Sequence, residues 1–429
     1  MDRTTCCIVG GGPAGMMLGL LLARAGVEVT VLEKHGDFLR DFRGDTVHPS
    51  TLRLLDELGL GEEFARLPFP KLEEMQMQIG DTTVVMADMR RIPGRHKYFA
   101  MVPQWDFLNL IAAAGAREPS FTLRMNTEVT ELRTEGGRVR GVRYVDAQGR
   151  PGELAADLTV ACDGRDSVVR AAAGLRQDRF EVPMDVWQVR VDAPPSSQLR
   201  SSRGYPHLDS LKDGRVFARF GDGQAAVTMD RGTYYQTSYL IAKGQDAALR
   251  GAHDIQWLRD RLGALFGWDA AVTATIGSWA DVKLLEVTFG RLRRWHRPGL
   301  LCIGDAAHTM SPVGGVGVNL ALQDAVAAAR ILAGPLRRGT VAVADLARVQ
   351  RRRELPMAVV QSSQRAEHGL IRAALEGTLD GDRLPVPMRL LRRIPALRTV
   401  TGALGGLGIR PERTPAFARA GVRPGARSR

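Results

Sequence analysis

The chain has 429 residues, 44% hydrophobic and 25% charged, the balance of a globular protein large enough for more than one core. Its formal charge is +12, carried by arginine because only six lysines occur, and with no basic–aromatic cluster this argues against nucleic acid and for attraction of anionic small molecules. Four cysteines without metal-ligand spacing argue against a disulfide scaffold or a metal centre, and no apolar run approaches the length of a bilayer span.

Residues 5–9 are short, apolar and ended by glycine, as in a buried strand. Gly10, Gly12 and Gly15 follow in a G-x-G-x-x-G pattern, and Pro13 and Ala14 open a helix that runs to Arg24. Residues 27–32 make a second strand, closed by Glu33 and Lys34. This is a βαβ unit with an acid about twenty residues after its glycines. Gly10 permits a tight turn, Gly12 lets backbone approach a pyrophosphate, and Gly15 lets helix and strand pack closely. The helix start offers unpaired N–H groups and partial positive charge. Glu33 suits ribose hydroxyls, so an adenosine diphosphate moiety fits. This segment leaves open whether it belongs to NAD or FAD.

Arg43 and His48 come next, in a loop, and Gln104 starts a helix. Residues 154–161 form a further apolar strand, ended by Asp163 and Gly164, with a helix opening at 167–170. Alternation at 75–79, 186–191, 216–220 and 234–239, with hairpin signals at 221–223 and 231–232, describes an antiparallel sheet. Its candidates for a substrate wall are Trp187, Gln188, Arg190, Phe217, Arg219, Tyr235 and Tyr239. Alternate residues share a face, so Trp187 with Val189, or Gln188 with Arg190, points inward, but not both.

Residues 300–303 are a third strand, ended by Gly304 and Asp305. Pro312 and a glycine loop through Gly315 and Gly317 lead to Val318, Asn319 and an alanine-rich helix. The loop brings backbone N–H groups and another helix start to a ligand, an arrangement that suits a flavin edge gaining negative charge. His308 after this turn reads as a structural hydrogen-bond partner. Residues 341–376 are helical, and 387–394 form a short basic amphipathic helix expected to dock on the body. Residues 411–429 have little to bury and are expected to be loosely ordered.

These three segments, in this order, resemble the flavoprotein monooxygenases of the para-hydroxybenzoate hydroxylase type over roughly residues 4–370. The resemblance implies an α/β fold, with a dinucleotide-binding βαβ FAD domain (1–75, 100–180 and 285–335) interleaved with a sheet domain for substrate (76–99 and 181–284). C-terminal helices (336–410) and the tail complete the chain. It implies non-covalent FAD, NADPH or NADH as electron donor, and O2. Oxygen would reach a small aromatic or polyketide-like substrate through a C4a-hydroperoxyflavin. Cofactor contacts would come from Gly10, Gly12, Pro13, Ala14, Gly15, Glu33, Lys34, Arg43, Gln104, Asp163, Gly304, Asp305, Pro312, Gly315, Gly317, Val318 and Asn319. The chemistry would be flavin-borne, with Arg43 and His48 the candidate protein groups. Where many relatives carry Gly-Gln-Gly, this chain has Gly315-Val316-Gly317, so only a backbone role survives there. A monomer or homodimer in the cytoplasm is expected, without a leader segment, membrane contact or nucleic acid. Two other readings are a flavin oxidoreductase without oxygen insertion, such as a prenyl-chain reductase, and a membrane- or complex-associated flavoprotein subunit.

Overall fold

A computed structural model of the protein describes residues 2–39, 46–192, 216–231, 233–382 and 384–421. Its larger sheet runs in the order His296–Arg297, Leu300–Cys302, Pro151–Ala161, Asp2–Val9, Val29–Leu32, Phe121–Arg124. The last five of these strands pair in parallel. Helix Pro13–Arg24 begins at Gly12 with Pro13 in its first turn, where the missing N–H costs nothing. Ten of its residues, Ala14 to Ala23, are buried, because it is covered on one side by the sheet and on the other by helix Gly317–Arg337. That second helix meets the length and apolarity of a membrane span, but 72% of its apolar window is buried in the body.

Register decides where the three glycine turns emerge. Val9 stands beside Leu32 on one side and Ala161 on the other, and Ala161 stands beside Cys302. Four strands therefore end in one row, and the segments after them all leave from the same carboxyl edge of the sheet. In open α/β sheets this edge is where ligands bind.

The second sheet has seven strands, in the order Lys283–Leu285, Met184–Asp192, Tyr234–Ala242, Gln224–Asp230, Val216–Gly221, Glu74–Ile79, Thr82–Asp88. Both insertions thus build one sheet. It is not wholly antiparallel as expected, since Glu74–Ile79 and Val216–Gly221 run parallel. They come from separate excursions of the chain, so no hairpin dictates their direction. The turn after Gly221 places Asp222 and Gly223 at φ 52° and 70°, the left-handed pair that a two-residue hairpin requires.

One face of this sheet is closed by helices Asp246–Ala252, Ile255–Phe266 and Ala270–Thr273, which the alternating pattern does not announce. The other packs against the Val313 loop, helix Val343–Leu375 and helix Val386–Arg393. Helix Val386–Arg393 docks on the body through Met388 and Leu391. Residues 411–421 depart from the expected loose tail. Glu412, 1% exposed, accepts from Nε and Nη2 of Arg352 at 2.5 and 2.8 Å, and the Thr414 N–H donates to Glu57 at 2.7 Å. Few apolar side chains are available there, and paired polar groups take their place. Residues 422–429 lie outside the described residues.

Candidate functional site

The three turns touch one another. A Cβ on Gly10 would lie 2.5 Å from the carbonyl oxygen of Cys162 and 2.9 Å from Cα of Asp163, so the first turn rests on the second. Gly10 also has φ 102°, where side chains are strained. A Cβ on Gly304 would lie 3.1 Å from that of Ala321 and 3.3 Å from that of Ala14, so the third turn is wedged between two helix starts. Arg170 ties the second turn to the third. Its Nη2 donates to the carbonyl of Arg165 at 2.5 Å, and its Nη1 donates to the carbonyl of Ala306 at 3.2 Å.

Gly12 differs from its neighbours. It caps helix Pro13–Arg24 with ordinary backbone angles (φ −73°, ψ −176°), and a Cβ there would meet nothing within 4 Å. Open space directly before unpaired helix N–H groups is a cradle for a phosphate. Glu33 is buried at the end of its strand and accepts from the Gly11 N–H at 2.8 Å and the His35 N–H at 3.0 Å, which hold the carboxylate beside that cradle. Lys34 is exposed next to it. This donor and acceptor set fits the pyrophosphate and ribose of FAD.

The loop at Pro312 is held from two sides. Gln364, 2% exposed on helix Val343–Leu375, accepts from the Ser311 N–H at 3.2 Å and donates to the carbonyls of Ser311 and Val313 at 2.9 and 2.7 Å. Across the loop, Gly315 has φ 61° and approaches Thr46, whose hydroxyl donates to its carbonyl at 3.1 Å. Asn319 accepts from the His48 N–H at 3.1 Å and the Thr51 hydroxyl at 2.8 Å, and donates to the Thr46 carbonyl at 3.2 Å. Its side chain is thus occupied by protein, and what Gly317, Val318 and Asn319 offer a ligand is helix-start backbone. Asp163 is similar. Its carboxylate accepts from the Ser167 hydroxyl at 2.5 Å and the Val169 N–H at 3.2 Å, capping helix Val168–Ala172. Burial pushes its carboxyl up.

Beneath Gly304 lies an ionic core. Asp324 is fully buried and accepts from Arg353 Nε at 2.9 Å, from the Gly304 N–H at 3.2 Å and contacts His308 Nε2 at 2.6 Å. Burial alone would raise its carboxyl, but His308 and Arg353 reverse this and hold it below the usual carboxylate range. Asp305 is half-buried at the lip of this turn. Gln104 is half-buried in the first turn of its helix, three residues beyond Met101, which pairs with Thr46. Arg43 lies outside the described residues.

His48 is 2% exposed, and its Nδ1 donates to the carbonyl of Gly405 at 2.9 Å. Burial pushes its pKa down from 6.5 to about 4. The unfolded chain therefore binds a proton that the folded one refuses between those values, and stability falls as pH drops through them. The full loss is about 3 kcal/mol. Thermal melts should show that His48→Gln loses less stability than wild type between pH 6.5 and pH 4; parallel curves would contradict the assignment.

The substrate-wall candidates divide between two faces. Trp187, Phe217, Tyr235 and Tyr239 belong to the core shared with Leu258, Leu262 and Phe266, away from the Val313 loop, which corrects the expectation for them. The indole N–H of Trp187 is spent on Asp246 at 2.6 Å. Arg219 shares this face, being in register with Ala226. Gln188 is on the face that carries Val186 and packs with Val313, and is 7% exposed. Arg190 is exposed, pairs with Asp192 at 2.8 Å and lies 4.2 Å over the Tyr234 ring. The bulky aromatics go to the face that the unexpected helices seal. Sequence reasoning missed Arg170, Asp324, Arg353 and Gln364 as supports of the site. Arg170 and Asp324 interrupt apolar stretches, a weak signal, whereas Arg353 and Gln364 sit among other polar residues and give none.

Residues 3–363 match the model of a family described as FAD binding domain. The chain is 35% identical to 6-methylpretetramide 4-monooxygenase of Streptomyces rimosus, over 93% of this chain and 91% of that protein. It is 24% identical to para-nitrophenol 4-monooxygenase of Pseudomonas sp. (strain WBC-3), over 77% of this chain and 78% of that protein. Among solved structures, the anhydrotetracycline hydroxylase OxyS of Streptomyces rimosus superposes with a TM-score of 0.71 at 25% identity, covering 96% of this chain and 77% of that one.

Proposed function

The chain belongs to the FAD-binding-domain family of flavin-dependent monooxygenases, and on that premise we propose that it hydroxylates a small aromatic or polyketide substrate, with NADPH or NADH as reductant and O2 as oxygen source. Bound FAD supplies the electron transfer and oxygen activation, as cofactors do in such enzymes. The protein's part is to bind, orient and keep water out. The N–H groups beyond Gly12 hold the pyrophosphate, and Glu33 and Asp305 accept from cofactor hydroxyls. The Pro312–Gly317 loop, braced by Gln364 and Thr46, presents backbone N–H groups to the ring. The support for this reading is the single row of strand ends at Leu32, Val9, Ala161 and Cys302, which opens the turns onto one cleft.

Substrate lies between that loop and the inner face of the second sheet. The Ser238 hydroxyl donates to Gln188 Oε1 at 2.9 Å, which fixes the amide, and its amino group is the donor assigned to substrate. A donor there recognises an oxygen on the substrate ring. Gln188→Leu should raise KM about tenfold with kcat little changed, the worth of one neutral hydrogen bond. An unaltered KM would remove Gln188 from the site. The activity itself is tested with a panel of aromatic and polyketide compounds. A true substrate accelerates NADPH or NADH oxidation and yields a product heavier by one oxygen atom. Accelerated oxidation with no oxygenated product across the panel would overturn the reading.

A further inference from the structure

The C-terminal helices leave an unpartnered face. Helix Val386–Arg393 and helix Pro395–Gly406 both lie on strand Thr82–Asp88 and on each other. Their inward residues, Met388, Leu391, Gly402 and Gly406, are buried. Their outward faces are not uniformly polar. Val386, Leu390 and Ile394 are 56%, 43% and 44% exposed and recur at helical spacing, and Val400 and Leu404 repeat this on the next helix. Of the eleven exposed large hydrophobics among the described residues, these are five, gathered within nineteen positions. Such concentration marks a contact surface, not scattered surface apolarity.

Charge specifies the partner. From residue 383 to residue 411 the sequence has six arginines and no acidic residue. Arg389, Arg392 and Arg393 are exposed beside the apolar stripe. Arg398 is turned inward, donating to the carbonyls of Leu391 and Arg392 at 2.8 and 2.9 Å. A second copy of this chain would set arginines against arginines. The stripe is aliphatic, without the aromatic anchors that protein interfaces favour. Aliphatic residues flanked by long basic side chains match the boundary of an anionic lipid layer, where the stems lie in apolar material and the guanidinium groups reach phosphate.

We propose that helices Val386–Arg393 and Pro395–Gly406 form a docking surface for anionic membrane, on which the enzyme rests reversibly. The apolar stripe supplies insertion, and the arginines supply attraction that salt screens.

The test is flotation of the FAD-loaded enzyme with vesicles of phosphatidylcholine alone or mixed with phosphatidylglycerol. Wild type should float with the mixed vesicles at low salt, stay behind with phosphatidylcholine alone, and release as salt rises. Replacing Arg389, Arg392 and Arg393 together by glutamine should weaken partitioning on the order of a hundredfold. Replacing Val386, Leu390 and Ile394 by serine should also abolish flotation, with FAD content and reductant oxidation at wild-type level as proof of folding. Two outcomes overturn the proposal: wild type does not float with mixed vesicles, or either triple variant floats like wild type. Failure to float with a wild-type dimer that the serine variant abolishes assigns the surface to a second copy of the chain. Failure to float with retention on polyglutamate through the same arginines assigns the surface to an acidic protein instead.

Discussion

Gly12→Val should fold and fail to hold FAD. A Cβ at this position meets no protein atom within 4 Å, and the backbone angles at Gly12 suit any residue. The cost to the empty protein is the poorer helix cap, about 1 kcal/mol or less. The same side chain fills the approach to the N–H groups of helix Pro13–Arg24, so the pyrophosphate is displaced. Gly10→Ala, two residues away, makes the opposite demand. Its Cβ would sit 2.5 Å from the Cys162 carbonyl at φ 102°, a backbone contact that cannot swing aside. Strain and overpacking together cost about 3 kcal/mol or more, so this variant should be destabilised without any ligand. Urea melts of the FAD-free proteins and FAD retention on gel filtration separate the two. If Gly12→Val keeps FAD, or Gly10→Ala melts like wild type, the cradle is wrongly drawn.

Asp324→Ala should be the most damaging change beneath the site. It strands Arg353, 1% exposed, without its buried carboxylate, and withdraws the acceptor that His308 and the Gly304 N–H share. The nearest remaining carboxylate, Glu412, is 4.0 Å from Arg353. Removing one partner of such a pair costs about 3–5 kcal/mol, a large part of a typical folding free energy. Most of that is the stranded charge, so Arg353→Met added to Asp324→Ala should recover stability. FAD retention should not recover with it, because the Gly304 turn still lacks its anchor. Additive losses in the double variant, or a single variant within about 1 kcal/mol of wild type, would contradict this.

The cofactor side of the cleft is readable in the chain because its signals are local. Gly10, Gly12 and Gly15 punctuate one strand and open one helix, and Gly304 ends another strand, so pattern and structure coincide. The supports are not local. Asp324 and Arg353 are twenty-nine residues apart, and Gln364 reaches Ser311 across fifty-three. Neither separation has a period. The substrate face is ambiguous in the chain for a physical reason: a strand buried on both sides has no polar face to mark the outside, so Trp187 and Gln188 compete for the cleft on equal terms. The helices that settle it do have signals. Asp254 caps Ile255–Phe266 at its start, accepting from the Trp257 N–H at 3.3 Å, and Gly267 ends it at φ 69°. Strand alternation on either side of that segment masks them. The order of the tail at Glu412 is hidden because its burial rests on ion pairs with Arg352, not on apolar side chains.

The most direct measurement is the nucleotide released when the purified protein is heat-denatured and resolved by chromatography. The arrangement of Gly12, Glu33 and Gly304 around one cleft predicts FAD equimolar with the chain, and none from Gly12→Val. Release of FMN, or a wild-type protein that neither carries FAD nor takes it up on reconstitution, would contradict it.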